Sequence, residues 1–244
     1  MNALTYGRYE LVRTFRNKRF FVFSLGFPLA LYYLTATANR HEQDLGGSGI
    51  SAPLYLMVGL AAFGAMNAML ATGARIAGER SVGWNRQLRL TPLSTRTYFR
   101  VKVLTAYVTA MLTIGLLYIA GATLGVRLGA TDWLEMTLLM FVGLVPFAGL
   151  GIVMGHLLTT QSIGPAMGGT TALLGFLGGV WYPITGGAMQ KVAEALPSYW
   201  LVQASHVGFG GQGWSHTGWL VVAAWSAAAA VVARHAYRRD TQRV

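Results

Sequence analysis

Residues 54–74 read LYLMVGLAAFGAMNAMLATGA and contain no charged side chain. A helix needs about 20 mostly apolar residues to cross the hydrocarbon core of a bilayer. A soluble helix of this length normally carries a charged or polar stripe along one side, and this stretch has no charged stripe. The stretch therefore predicts a membrane-spanning helix.

Five further runs share this apolar character, and apart from Glu135 none of the six contains Asp, Glu, Lys or Arg. They predict an all-α polytopic membrane protein with six transmembrane helices in a single domain, residues 1–244. The predicted spans are residues 20–38, 54–74, 103–126, 134–158, 166–185 and 218–233.

The charges are few and unevenly placed. Only 11% of the 244 residues are charged, against about 25% in an average globular protein, yet the net charge is +11. Sixteen of the 19 Lys and Arg fall before the first span, between the second and third spans, or after the sixth. Cytoplasmic loops are rich in Lys and Arg, so both termini are expected in the cytoplasm. This distribution disfavours a nucleic-acid-binding surface, which would group the charge on a folded polar domain.

Residues 1–19 are predicted to form a helix in the membrane interface. Leu11 and Phe15 fall on an apolar face, with Arg8 and Arg16 among the basic residues around it, which suits anionic headgroups. A plain positive anchor for the first span explains the same pattern equally well. A secretory signal is a third interpretation, but the apolar run of residues 20–38 exceeds the usual 7–15 residues of a signal core.

Several kinds of chemistry have no support in the sequence. The chain has no phosphate-binding loop G-x-x-x-x-G-K-[ST], no H-E-x-x-H zinc motif and no Cys. The spans also lack the buried ionisable residues that an ion-coupled transporter uses. The Ser48 motif, Gly-Gly-Ser-Gly, is interpreted as a flexible linker rather than a protease site. We therefore expect no catalytic residue, no metal and no cofactor bound by the chain itself.

The connection at residues 75–102 is the most informative part of the chain. It contains Glu79-Arg80, Gly83-Trp84, Leu88-Arg89 and Thr91-Pro92-Leu93. Trp84 and Leu88 can share one side of a short amphipathic helix that stops at Pro92, which lacks a backbone N–H. Such a helix would serve as a docking element for another protein, although a loop that merely satisfies the positive-inside rule remains open.

The sequence resembles the permease subunits of type-2 ABC exporters in three features. They are this connection, a Gly-rich fifth span ending in Trp181-Tyr182-Pro183, and the later Leu-Pro-Ser-Tyr-Trp ending at Trp200. That family has six spans and exports small drugs, antibiotics, polysaccharides and lipids. The resemblance covers essentially the whole chain. Trp84 departs from the family pattern, in which smaller or polar residues are common.

The resemblance implies that a separate ATPase supplies the sites for ATP and Mg, and that two permeases pair with two ATPases in a bacterial cytoplasmic membrane. It also implies a coupling helix in the loop 75–102 and an amphipathic hairpin outside the membrane at residues 186–215. The implied coupling residues are Glu79, Arg80, Gly83, Trp84, Leu88, Arg89, Pro92 and Leu93.

An export path for a hydrophobic or amphipathic compound is expected along the second and fifth spans. Candidate lining residues are Phe63, Met66, Asn67, Met69, Phe176 and Trp181. Packing against other helices or lipid is an alternative role for these side chains, and an interhelical hydrogen bond would satisfy Asn67 without any cargo.

The fifth span also carries small residues at the spacing that lets membrane helices approach closely. Gly168, Gly175 and Gly179 are therefore candidates for packing between two copies of the chain, with packing inside one chain as the alternative. The predicted function is that of an exporter permease without enzymatic activity of its own. The alternative is an ATP-independent assembly or sensor subunit of the membrane.

Overall fold

The computed structural model describes residues 3–18, 22–84, 87, 90–91, 93–209 and 213–242, and all regular structure in these ranges is helical. A π-helical turn, Val22–Gly26, leads into the second α-helix, and 3-10 turns occupy Leu45–Gly47 and Ala204–Phe209. The α-helices are α1 (Ala3–Arg16), α2 (Phe27–Ala38), α3 (Ala52–Ser81), α4 (Thr95–Thr123), α5 (Ala130–Gly143), α6 (Val145–Leu157), α7 (Ile163–Leu177), α8 (Gly187–Glu194), α9 (Pro197–Gln203) and α10 (His216–Gln242).

Four helical stretches of the described chain are long and apolar enough to cross a membrane. They are Ala52–Ser81, Thr95–Thr123, Ala130–Leu157 and His216–Arg239, the third being α5 and α6 in series. For the described residues, the prediction of an all-helical fold with several helices long and apolar enough to cross a membrane is confirmed. The count of six stays a prediction, because α2 has 12 residues and α7 has 15.

Helix α3 lies at the centre of the bundle and is buried over most of its length. It packs against α2, α4, α6 and α7. The unbroken apolar character of residues 54–74 therefore serves contact with other helices. Helices α4 and α10 carry the outward apolar face, on which Leu104, Ile119 and Leu220 are each more than 60% exposed.

Glycines bring the backbones of α3 and α6 into direct contact. A Cβ atom placed on Gly151 would lie 2.6 Å from the carbonyl oxygen of Met69, and one on Gly155 would lie 2.8 Å from that of Gly73. Only residues without a side chain permit this approach, which is typical of helix pairs in membranes. The crossing fixes the position of α6 against the middle of α3.

The fourth predicted span, residues 134–158, is a helix with one interruption. The helical pattern breaks at Leu144, between α5 and α6, and Pro146 occupies the first turn of α6. Proline has no N–H to donate and is accommodated at this position because the first N–H groups of a helix have no partner within it.

The fifth predicted span, residues 166–185, ends earlier than expected because α7 stops at Leu177. Gly179 adopts φ +76°, a conformation that favours glycine, and turns the chain back. The following non-helical segment packs on α3, where the Tyr55 hydroxyl donates to the carbonyl of Gly179 and Gly59 lies against the carbonyl of Val180. Such backbone is tolerated at membrane depth when it is buried in protein.

The bundle has two chemically different ends. At the basic end, Tyr237 of α10 approaches Thr95 (3.0 Å between hydroxyl oxygens) and packs on the ring of His156. At the other end lie α8 and α9, and Trp200 packs against Gly218. The amphipathic hairpin outside the membrane at residues 186–215 stays a prediction. Helices α3 and α4 extend into the predicted connection, which leaves residues 82–94 between them.

We expect the substitution Gly151→Leu to destabilise the protein, because the new side chain would meet the backbone of α3 rather than a movable side chain. Overpacking of this kind costs about 1–3 kcal/mol or more, and each kcal/mol lowers the melting temperature of a chain of this size by about 2–4 °C. Thermal unfolding in detergent measures the effect. Gly115→Leu on α4 is the matched control, since a Cβ at that position meets no atom within 4 Å. Equal melting temperatures for the two variants would contradict the close crossing.

Candidate functional site

Five charged side chains from three helices form one group at the basic end, termed the ion cluster. Its members are Glu10 and Arg13 of α1, Arg75 and Glu79 of α3, and Lys102 of α4. The three helices are far apart in sequence, so the cluster exists only in the folded chain.

Lys102 is the centre of the cluster. Its side chain is fully buried, and the ammonium donates to Glu10 Oε1 at 2.6 Å and to Glu79 Oε1 at 2.5 Å. Arg13 Nη1 donates to the same oxygen of Glu79 at 2.7 Å. The Arg75 guanidinium lies 3.8 Å from Glu10 Oε1, and its Nη1 donates to Thr14 at 3.0 Å.

Aromatic side chains close the cluster on one side. The Tyr98 hydroxyl donates to Glu79 Oε2 at 2.7 Å, and the Tyr6 ring stacks on Tyr98 with 6.0 Å between ring centres. Burial, together with the Glu79 and Glu10 carboxylates, raises the pKa of Tyr6, so its hydroxyl stays protonated.

The Arg13 guanidinium remains charged in this setting. Burial alone would lower its pKa, but the neighbouring Glu79 and Glu10 carboxylates outweigh that effect and raise it. Removing one partner from a buried ion pair leaves an uncompensated charge, which costs about 3–5 kcal/mol. The cluster therefore joins α1, α3 and α4 firmly at the basic end.

The structure gives the Glu79-Arg80 pair an internal role that the sequence did not predict. Glu79 is 1% exposed and belongs to the ion cluster. Arg80 Nη1 donates to the carbonyls of Gly155 and Leu158 at 2.9 and 3.3 Å, at the carboxyl end of α6 where carbonyls lack helical partners. The contact of these two side chains with an ATPase stays a prediction.

The other predicted coupling residues lie just beyond α3. Gly83 has φ +71°, and Trp84 and Leu93 pack against the buried group formed by Tyr6 and its neighbours. Val82 and Leu90 are 76% and 89% exposed, so this connection presents apolar side chains to the outside of the chain. Leu88, Arg89 and Pro92 lie outside the described residues.

The segment predicted as an interfacial helix contains α1, residues 3–16, and its interfacial position stays a prediction. Its bundle-facing side carries Tyr6, Glu10 and Thr14, which are four residues apart and buried. Its exposed side carries the predicted Arg8, Arg16 and Phe15, with Leu11 partly buried between the two. Placement of this exposed side in lipid headgroups stays a prediction.

A cavity of about 720 Å³ lies beside the ion cluster. Its basic end is lined by Arg13 and Arg75, and its apolar part by Phe27 and Phe63. Helices α1, α2, α3 and α7 and the π-helical turn contribute lining residues. Small-molecule sites in proteins typically occupy about 300–1,000 Å³, so the cavity has the size of one.

The cavity includes part of the predicted export path. Phe63 and Asn67 line it, and Thr171 of α7 donates to the Asn67 side-chain oxygen at 3.1 Å. The remaining predicted path residues do not line this cavity: Met66 and Met69 are fully buried in the core, Phe176 is 67% exposed on α7, and Trp181 packs on Phe63 with 5.4 Å between ring centres.

The predicted dimer glycines divide into two groups. Cβ atoms on Gly175 and Gly179 would meet side chains of the same chain, Trp181 and Tyr55 respectively, at 3.1 and 3.2 Å. These positions have neighbours within the same chain, and a role in packing between two copies stays a prediction. Gly168 faces open space on α7, next to the cavity.

Comparison with known proteins agrees with this architecture. Residues 2–209 match the model of the ABC-2 type transporter family. This chain belongs to the ABC-2 type transporter family. A Bacillus subtilis (strain 168) protein named "Putative transport permease YvfS" is 29% identical over 195 residues, which cover 78% of each chain. Membership of this family implies that the chain is a multi-pass membrane protein, that it functions in transport and that it pairs with an ATP-binding subunit.

Four of the five members of this ABC-2 transporter's ion cluster were not predicted as site residues: Glu10, Arg13, Arg75 and Lys102. Glu10 could have been recognised from the sequence as a candidate partner for a basic residue, since it is the only acidic residue among the first 41. Arg75 was counted only as a positive charge flanking the spans, and Lys102 also as the lysine that opens the third span in the family pattern. Nothing in their spacing indicates that they meet Glu10 in the folded chain.

We expect Lys102→Met to lower the free energy of unfolding by about 3–5 kcal/mol, because Glu10 and Glu79 would lose their shared buried partner. Thermal unfolding and the monodisperse fraction in size-exclusion chromatography measure the loss. Lys191→Met is the matched control, since Lys191 is an exposed residue of α8. A K102M variant as stable as K191M would show that the cluster does not hold the helices together.

Proposed function

We propose that this chain is the permease subunit of an ATP-binding cassette exporter and forms the path for a hydrophobic or amphipathic compound. Membership of the ABC-2 type transporter family supports a role in transport. The cavity between α3 and α7 supports the path, because its wall combines aromatic side chains with the Asn67 amide, as small-molecule sites do. The drug, antibiotic, lipid and glycan classes all fall within this description.

ATP hydrolysis is assigned to a separate ATPase subunit, because the chain has no phosphate-binding loop of the familiar kind. The permease itself is not an enzyme. ATP and Mg bind to the ATPase, and two ATPases serve two permeases.

The connection at residues 82–94 is proposed as the ATPase-docking segment. It presents Val82 and Leu90 outward, while Glu79 and Arg80 anchor the end of α3 inside the chain. Glu79 and Arg80 therefore act as positioning residues: they hold the segment against α4 and α6, and exposed neighbours contact the ATPase.

A second copy of the same chain is proposed to pack along α7. Gly168 leaves room for a close approach there, and Leu173 and Phe176 are 64% and 67% exposed on the same helix. Close packing at small residues is the usual way that membrane helices associate.

The proposed location is a bacterial cytoplasmic membrane, with six spans and both termini in the cytoplasm. The sixteen basic residues of the terminal and 75–102 segments support this orientation, since cytoplasmic loops retain Lys and Arg.

Docking of the ATPase is tested by Leu90→Asp. We expect at least about tenfold less ATPase to copurify with this variant, because burying a leucine in an interface contributes about 1.5–3 kcal/mol and each 1.4 kcal/mol is tenfold in affinity. Met189→Asp on α8 is the control, since this half-exposed residue lies at the opposite end of the bundle. Unchanged copurification with L90D would exclude the segment as the docking site. Energy-dependent transport by the permease without any ATPase would favour an ATP-independent role.

The path is tested by Asn67→Leu in proteoliposomes that contain the permease and its ATPase. We expect export to fall about twofold to tenfold, the effect of losing one hydrogen bond of about 0.5–1.5 kcal/mol. Asn39→Leu, in the exposed turn after α2, is the matched control. Export at the control rate by N67L would place the path elsewhere in the chain.

A further inference from the structure

The positive charge of the ion cluster is not fully balanced. The cluster contains three cations, Arg13, Arg75 and Lys102, but only two carboxylates, Glu10 and Glu79. Five of the remaining six acidic residues belong to the segments at the opposite end of the bundle: Glu42, Asp44, Asp132, Glu135 and Glu194. The sixth, Asp240, is close to the carboxyl terminus. The described cluster therefore has an excess of one positive charge.

This excess faces the cavity. Arg13 and Arg75 line its basic end, while no carboxylate lines it among the described residues. Arg75 is 15% exposed, and its buried Nε has no hydrogen-bond partner, because the nearest Glu10 oxygen is 3.8 Å away. A guanidinium does not lose its proton in a protein, so it cannot relieve this imbalance by becoming neutral.

Arg75 is paired with Glu10 only at 3.8 Å, so part of the cost of burying its charge remains, and a bound anion would reduce that cost. Guanidinium groups suit carboxylate and phosphate in particular, since their N–H donors match two oxygens at once. The side chains of Thr14 and Ser24 provide further polar groups at the cavity wall.

The rest of the cavity has a different character. Phe27, Phe63 and Met167 contribute apolar surface, and Asn67 and Thr171 are already hydrogen-bonded to each other. A ligand that fills the whole space thus needs an apolar body as well as an anionic group at one end.

We infer that this cavity binds an amphipathic compound whose carboxylate or phosphate group lies between Arg13 and Arg75 and whose apolar body lies along Phe27, Phe63 and Met167. The inference rests on the proposed function for its role in export, since the bound compound would be the cargo. An anionic lipid of the inner leaflet and a soluble acidic amphiphile share this chemistry.

Binding is measured without any ATPase, on the full permease in nanodiscs of phosphatidylcholine. The probe is radiolabelled dodecyl phosphate, and dodecyltrimethylammonium has the same chain with the opposite charge. Empty nanodiscs give the background from partition into lipid. We expect saturable binding of dodecyl phosphate and at least about tenfold weaker binding of the cation. Equal binding of both probes would overturn the inference.

Two variants locate the site. Arg13→Gln should weaken dodecyl phosphate binding at least about tenfold. Arg8→Gln makes the same change on the same helix, at an exposed residue that does not line the cavity, and should leave binding unchanged. Equal affinities for R13Q and R8Q would overturn the assignment.

Because Arg13 also pairs with Glu79, R13Q alters the ion cluster as well as the cavity. Gly78→Leu avoids this difficulty, since Gly78 lines the cavity and a Cβ there meets no atom within 4 Å. This variant should occupy part of the cavity, leave every ion pair in place and weaken binding, whereas Gly115→Leu should not. Full binding by G78L would contradict the site even if R13Q fails to fold.

A competition experiment between phosphatidylglycerol and dodecyl phosphate identifies the source of the ligand. If phosphatidylglycerol in the nanodisc displaces dodecyl phosphate, the result supports a lipid as the anionic ligand. If it does not, retained binding supports a soluble amphiphile.

ATP-driven export, measured with the permease and its ATPase together, distinguishes this inference from the proposed function. Export of cationic and anionic amphiphiles at equal rates would contradict only the selection for an anionic group. Selective binding without ATP-driven export contradicts only the exporter.

Discussion

A buried ammonium group is stable in a low-dielectric interior only while carboxylates remain beside it, and this constraint organises the basic end of the protein. Lys102 of α4 satisfies this constraint because it pairs with Glu10 of α1 and Glu79 of α3. Separating any of these helices would leave a charge buried without its partner. The segment at residues 82–94 joins α3 to α4 next to this point, so a force on that segment acts on two helices that are already held together.

Helix α3 connects this cluster with the rest of the molecule. It contributes Phe63 and Asn67 to the cavity wall, and Arg75 and Glu79 to the ion cluster. Asn67 and Glu79 are twelve positions apart, which corresponds to about 18 Å along a helix. The close crossing with α6 fixes α3 over the same region, because backbone atoms there cannot be displaced as side chains can. A rigid central helix is thus shared by the cavity, the cluster and the proposed docking segment.

Several features were predictable because they depend on local composition. Long uncharged runs predict membrane-crossing helices, and the position of the first helix follows from an amphipathic pattern. The directions in which side chains point were harder to predict from the sequence. The Glu79-Arg80 pair was recognised as important, but successive helical residues point about 100° apart, and only the neighbouring helices decide that Glu79 faces Lys102 while Arg80 faces the end of α6. The end of α7 was also misplaced, because residues 178–185 are apolar enough for a span but turn back at Gly179 against α3.

The sequence alone determined that the chain is a polytopic helical membrane protein, with an asymmetry of charge and a resemblance to exporter permeases. These properties follow from hydrophobicity and local motifs, which any segment carries independently of its partners. Tertiary structure alone decided which charges meet, which glycines pack within the chain and where the cavity lies. Those outcomes depend on contacts between helices remote in sequence, and the free energy of burying a charge or packing a backbone is set only when the helices come together.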